Sequence, residues 1–255
     1  MTKIISVAMQ KGGIGKTTTA YNLAANLQHM GKNVLLIDMD SQANATFNAG
    51  INSADLDDSL YNLLTDDQRY SCNARDVILK TDFFDIVPAD RDVADLVNEL
   101  SDPERLKNKL NLVVDLYDYI IIDCPPALNI LTVNAFVASD YIIVPTEARP
   151  FSFTGLRDLS ETVSDVRRSW NKTLKVLGIV LIKFHERTNL NKQMRALIDA
   201  ESSALNTDCF STTIRESIVV PESQIAQQPL HIYDKKSKPS QDYMDLTQEI
   251  ITRIE

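Results

Sequence analysis

Apolar positions along this chain follow two alternating rhythms. Predominantly apolar runs stand at residues 4–9, 34–39, 84–87, 119–122, 141–144 and 174–183. Their length and their Ile/Val/Leu content read as strands buried on both faces. Between them apolar residues return every third or fourth position, the spacing of a helix with one buried face. The clearest case is Ala20, Leu23, Ala24, Leu27 and Met30, closed by Gly31. Helices are also predicted at 59–64, 74–79, 104–116, 131–137, 154–170, 190–200 and 243–254. Strands alternating with helices predict an α/β fold: a single domain with a predominantly parallel, twisted sheet flanked by helices on both faces. No repeat, low-complexity tract or Gly/Ser linker divides residues 1–255. With the first strand starting at about Lys3, no separate N-terminal DNA-reading module is expected, and operator-binding autoregulation is not expected either.

Composition adds limits. The 255 residues are 44% hydrophobic and 24% charged, as in ordinary globular proteins. No apolar run approaches the roughly 18 residues of a membrane span, and 4–9 is too short for a signal-peptide core. Cys72, Cys124 and Cys209 are scattered without C-x-x-C spacing and read as reduced cytoplasmic thiols. The net charge of −9 argues against nucleic acid, but its distribution is uneven. Acids dominate from Asp55 to Glu104. From Arg167 to Arg195 the balance inverts, and Lys235, Lys236 and Lys238 form a second basic cluster. The distribution fits either solvated helix faces or a polyanion-binding face on an acidic body.

The chemistry concentrates where the first strand meets the first helix. Lys11-Gly12-Gly13-Ile14-Gly15-Lys16-Thr17 falls short of the G-x-x-x-x-G-K-[ST] phosphate loop only because Gln10 stands where the first glycine belongs. Its glycines let successive N–H groups turn toward one anion, and the helix opening at Lys16 points its positive end at the same place. Gly12, Gly13, Ile14, Gly15, Lys16, Thr17 and Thr18 are therefore the candidate nucleotide-binding residues. Lys16 is expected to serve the outer phosphates and the Thr17 hydroxyl to ligate Mg²⁺. Lys11, five residues earlier, is poorly placed for the same phosphates and is available to a neighbouring subunit.

Acids at strand ends complete the candidate site. Asp38 and Asp40 leave the second strand on one side, and Asp123 ends a strand broken by Cys124-Pro125-Pro126. Asp38 and Asp123 join Thr17 as candidate metal residues. Asp40 is the candidate for orienting the attacking water. Lys11, Lys16 and Asp40 form the candidate catalytic set.

At these residues the chain resembles the ParA/Soj-type partition ATPases, a deviant Walker A branch of the P-loop NTPases. QKGGIGKTTTAYNLA and DYIIIDCPPALNILTVNAF carry most of the likeness. VLLIDMDSQANAT, YIIVPTEARPFSFTGL, FHERTNL and PLHIYDKKSKPSQDYMDLTQEI extend it over essentially the whole length. The resemblance implies a slow, Mg²⁺-dependent ATPase. It implies an ATP-sandwich homodimer in which Lys11 reaches the partner's nucleotide and Gly12 stays small at the contact. It implies non-specific DNA binding in the ATP state, hence a nucleoid-associated cytoplasmic protein, and release when a ParB-like centromere-binding protein stimulates hydrolysis. Arg187 and Arg215 match the family's DNA face, with Lys235, Lys236 and Lys238 added by charge. The chain departs from the family at Ser41 and Ala43, where proline and glycine are usual, and at Ile182-Lys183-Phe184-His185, which replaces Thr-Met-Tyr/Phe-Asp. It departs again at Thr213–Glu216, near the expected adenine pocket. His185 is expected at the surface or the core edge.

Three other outputs share such a loop. Membrane cycling, as in the MinD branch, or the positioning of another cargo needs a basic amphipathic C-terminal helix for the membrane, whereas this terminus is acidic. An iron–sulfur branch needs cysteine stretches that the chain lacks. A nucleotide-gated adaptor would assemble without hydrolysis.

Overall fold

The computed structural model describes residues 1–149, 152–185 and 189–255. Its elements are β1 (Lys3–Val7), α1 (Lys16–His29), β2 (Val34–Asp38), α2 (Asn44–Asn48), α3 (Leu60–Leu64), α4 (Ala74–Val77), β3 (Leu79–Lys80) and β4 (Asp85–Val87). Then come α5 (Leu96–Glu99), α6 (Arg105–Leu110), β5 (Tyr119–Asp123), α7 (Ile130–Ala138), β6 (Tyr141–Glu147), α8 (Ser152–Ser169) and β7 (Lys175–Ile182). The chain ends with α9 (Asn189–Glu201), α10 (Val219–Ile225), α11 (Leu230–Tyr233) and α12 (Lys238–Ile254).

The seven strands are ordered β3-β4-β2-β5-β1-β6-β7, and only the β3–β4 pair is antiparallel. The expected parallel α/β sheet is therefore present. Connections β1-α1-β2 and β5-α7-β6 run across it in opposite directions, and right-handed crossovers then place α1 and α7 on opposite faces. α12 packs on α1, and α8 on α7. The central strands are buried along their length, as their unbroken apolar runs require. The register sets Val7 and Asp38 beside Asp123 at one edge of the sheet, which is where its ligands belong.

Both borders of the sheet are covered. On one side β3 has two residues and pairs back on β4. On the other, residues 208–214 run along β7, with Phe210 N–H donating to Ile179 O (2.8 Å) and Ile214 N–H to Leu181 O (2.9 Å).

Some predicted elements shift. Residues 74–79 do not form one helix: α4 stops at Val77, and Leu79 and Lys80 turn into β3. The Thr81 hydroxyl, bonded to Phe84 O at 2.7 Å, makes the hairpin that stops the helix. The helix expected at 104–116 ends at Leu110. The last helix begins at Lys238 instead of 243, because Ser237 caps it and Pro239 suits its first turn. That turn carries little apolar periodicity. Helices α2, α5, α10 and α11 are too short to show any.

Candidate nucleotide site

The loop after β1 is shaped by its glycines. Gly15, the N-cap of α1, has φ 74°, a conformation open to glycine. A Cβ there would lie 2.9 Å from Ile182 Cδ1. Gly15 offers no capping side chain, so the first N–H groups of α1 are left to whatever the loop binds. Ile14 turns its side chain into the core, so it can serve a ligand only through its backbone. Lys16 is buried and its Nζ donates to Lys11 O at 2.8 Å. Burial pushes its ammonium below the usual lysine value, against the pull of Asp123, Cys124 and Asp40.

The acids separate by environment. Asp38 accepts from Thr46 N (2.9 Å), Thr46 Oγ1 (2.8 Å) and Asp40 N (3.2 Å). Burial raises its pKa to about 6 in spite of those bonds. The Thr46 hydroxyl also receives Ala89 N–H (2.9 Å), so Asp38 ties the loop after β2 to the end of β4. Asp40 caps the next turn through Gln42 N (3.0 Å) and lines the cleft. Asp123 is fully buried, and neither carboxylate oxygen meets a partner at full hydrogen-bond geometry among the described residues, although the Thr17 hydroxyl is near enough to favour its charged form. Burial, then the neighbouring Asp38 charge, hold its pKa well above the usual range, while Thr17 and Lys16 weigh the other way.

These groups open onto a cleft of about 1080 Å³. Gly12, Gly13, Gly15, Lys16, Thr17, Thr18 and Asp40 line one wall. Phe47, Ile214, Val220, Pro221, Gln224, Ile225 and Tyr243 line the other, which is largely apolar. Gln224 Nε2 donates to Thr18 Oγ1 at 2.9 Å, tying α10 to the start of α1. This second wall was not anticipated beyond 213–216, because it comes from short, late helices with no local motif.

A model of the AAA domain family matches residues 2–176. The chain is 38% identical over 256 residues to the sporulation initiation inhibitor protein Soj of Bacillus subtilis, covering 98% of each. It is 34% identical over 259 residues to the chromosome partitioning protein ParA of Caulobacter vibrioides, covering 98% of this chain and 94% of that one. It superposes on the septum site-determining protein MinD of Pyrococcus horikoshii, a complex with Mg-ADP, with TM-score 0.78 and 27% identity over 98% and 96% of the two chains.

The chain belongs to the ParA/Soj-type P-loop ATPases.

Its residues fit the magnesium such ATPases use. Thr17 and Asp123 carry hard oxygen donors of the kind that ion requires, and the Asp123 oxygens are buried without a close hydrogen-bond partner among the described residues. Asp38 is different, because its oxygens are already engaged.

Arg187 lies outside the described residues. Arg215 lines the cleft and grips buried Asp242 through Nε and Nη2, both at 2.6 Å. Lys235, Lys236 and Lys238 are exposed beside the start of α12. The basic stretch from 167 to 195 is dispersed. Arg167 bonds Leu174 O, Arg168 pairs with Asp165, and Arg195 bonds Phe210 O. Lys175 and Lys183 stand at opposite ends of β7, about 26 Å apart at strand rise. His185 is exposed, as expected, against Glu216 at 3.2 Å. No helix among the described residues is long and apolar enough to cross a membrane.

Proposed function

We propose that this partition ATPase works as a dimerisation switch. Two ATP-loaded chains pair across their nucleotides, hold DNA without sequence preference, and separate when a ParB-like partner accelerates hydrolysis. The observation that carries the reading is Asp123: a buried carboxylate short of close donors, beside Lys16 at the uncapped start of α1. A fold keeps so costly a group where a cation and an anion arrive together.

Within one chain Lys16 serves the outer phosphates, and Thr17 and Asp123 hold the magnesium. Asp38 fixes the loop from which Asp40 orients the attacking water. Bound there, the metal offsets charge on the phosphoryl oxygens. Phosphoryl transfer of this kind relies on placement and charge, so an incomplete cradle turns over slowly. Lys11 completes it from the partner, which links turnover to pairing. Gly12 supports that arrangement: a Cβ there would meet nothing within 4 Å in its own chain, so any need for a small residue comes from outside it.

The test is gel filtration with magnesium and ATP, alongside phosphate release. Asp40→Ala is expected to elute as a dimer and release little phosphate, and Lys16→Ala to stay monomeric and inactive. An Asp40→Ala chain that hydrolyses at the wild-type rate, or never pairs, rejects the scheme.

A further inference from the structure

A third lysine touches the phosphate loop, from the far end of the chain. Lys183 follows β7 directly, and its Nζ donates to Gly13 O at 3.1 Å and to Glu147 Oε1 at 2.9 Å. Glu147 ends β6 and is buried, and it sits opposite Ile182 in the β6–β7 register. Its other oxygen takes Arg149 Nε at 2.7 Å. Through Lys183 and Glu147 the ends of β7 and β6 are thus tied to the loop that follows β1. The backbone of Lys183 has φ 50°, the left-handed region that a side chain with a Cβ avoids unless its surroundings impose it.

We propose that Lys183, anchored by Glu147, is a positioning residue of the phosphate loop that fixes the Gly13–Ile14 peptide. In a trans peptide the C=O and the following N–H point in opposite directions. Lys183 lines the cleft beside Gly13, and holding the Gly13 carbonyl there fixes the direction of the Ile14 N–H, one of the loop's donors. Gly13 has φ 73° and no Cβ to resist rotation, so an untethered peptide can flip and present a carbonyl dipole to the phosphates. This device rests on the ATPase reading above.

The experiment is calorimetric titration of Mg-ADP, with steady-state ATP hydrolysis and thermal melting, on wild type, K183M, K183G, K183R and E147Q. K183M and K183G are expected to weaken Mg-ADP about five- to tenfold, the net size of one ordinary hydrogen bond. K183R, which keeps a donor, should stay within about twofold of wild type. KM for ATP should rise in K183M by the same factor with kcat unchanged, because the peptide contacts substrate and transition state alike. E147Q should shift affinity in the same direction, and K183M/E147Q should bind no worse than K183M. K183G also relieves the positive φ, so its melting temperature should hold while its affinity falls; a lysine serving only the fold would lose both together. If K183G does not fold, the K183M and K183R pair reads the same quantity. Wild-type affinity in K183M and in any folded K183G overturns the proposal alone. A wild-type chain that binds no Mg-ADP overturns the ATPase reading and this one with it.

Discussion

A buried carboxylate short of close donors costs a fold more than almost any other single group. Asp123 is such a group, and the cost gives its role a two-sided test. Asp123→Asn removes the charge and keeps the shape, so without nucleotide the variant should melt higher, gaining about 1–3 kcal/mol. Mg²⁺-dependent phosphate release should fall by roughly a hundredfold or more. Thermal scans and a phosphate assay read the two opposite changes; a variant that loses both stability and activity would mark Asp123 as an ordinary structural acid. The place of Asp123 was legible because a continuous apolar strand ended on it. The commitment of Asp38 was not, since its partner Thr46 lies in a five-residue helix with no periodicity. Nor was the reach of Lys183 to Gly13, which spans 170 positions and leaves no local pattern.

Among the elements, the late helices hold the second wall of the cleft, and two side-chain pairs fasten them. Arg215 and Asp242 join the segment after β7 to α12. Arg215→Ala leaves buried Asp242 with the backbone N–H of residue 215 but without the guanidinium, and the arginine is partly exposed, so a loss of about 1–3 kcal/mol is expected in denaturant melts. Any fall in DNA retention by that variant must be compared with Arg215→Lys, which keeps the charge. On α11, His231 stacks on His29 with ring centroids 4.7 Å apart. Burial first, then His29 and Lys235, lower its pKa to about 4. A depressed folded pKa means the unfolded chain binds the proton more readily. Its stability contribution is therefore present above the ordinary histidine value and drains away as pH falls through about 4. His231→Phe should flatten that acid limb of the melting curve, and an unchanged pH profile would discount the pair. Sequence periodicity found α1 and α8 because they are long. It missed α10 and α11, which tertiary contacts hold in place: Gln224 to Thr18, and Leu230 N–H to Asn22 Oδ1 at 3.0 Å.

For the whole molecule, charge that clusters in sequence is spread in space, since β7 carries its two terminal lysines to opposite ends of the sheet. Lys235, Lys236 and Lys238 remain together and exposed. Replacing all three by alanine should weaken ATP-dependent DNA retention equally across sequences and make the logarithmic salt slope shallower by up to about 3. An unchanged slope would place the DNA elsewhere. The parallel sheet itself was legible from the alternation of runs and periods; its antiparallel β3 was not, because two residues carry no pattern. That short strand and the segment along β7 have a consequence for crowded conditions. Neither border offers a free row of amide and carbonyl groups for a foreign strand to zip onto. At high local concentration the chains are thereby kept from growing into cross-β filaments, and any higher assembly must be built through helix surfaces that can come apart again.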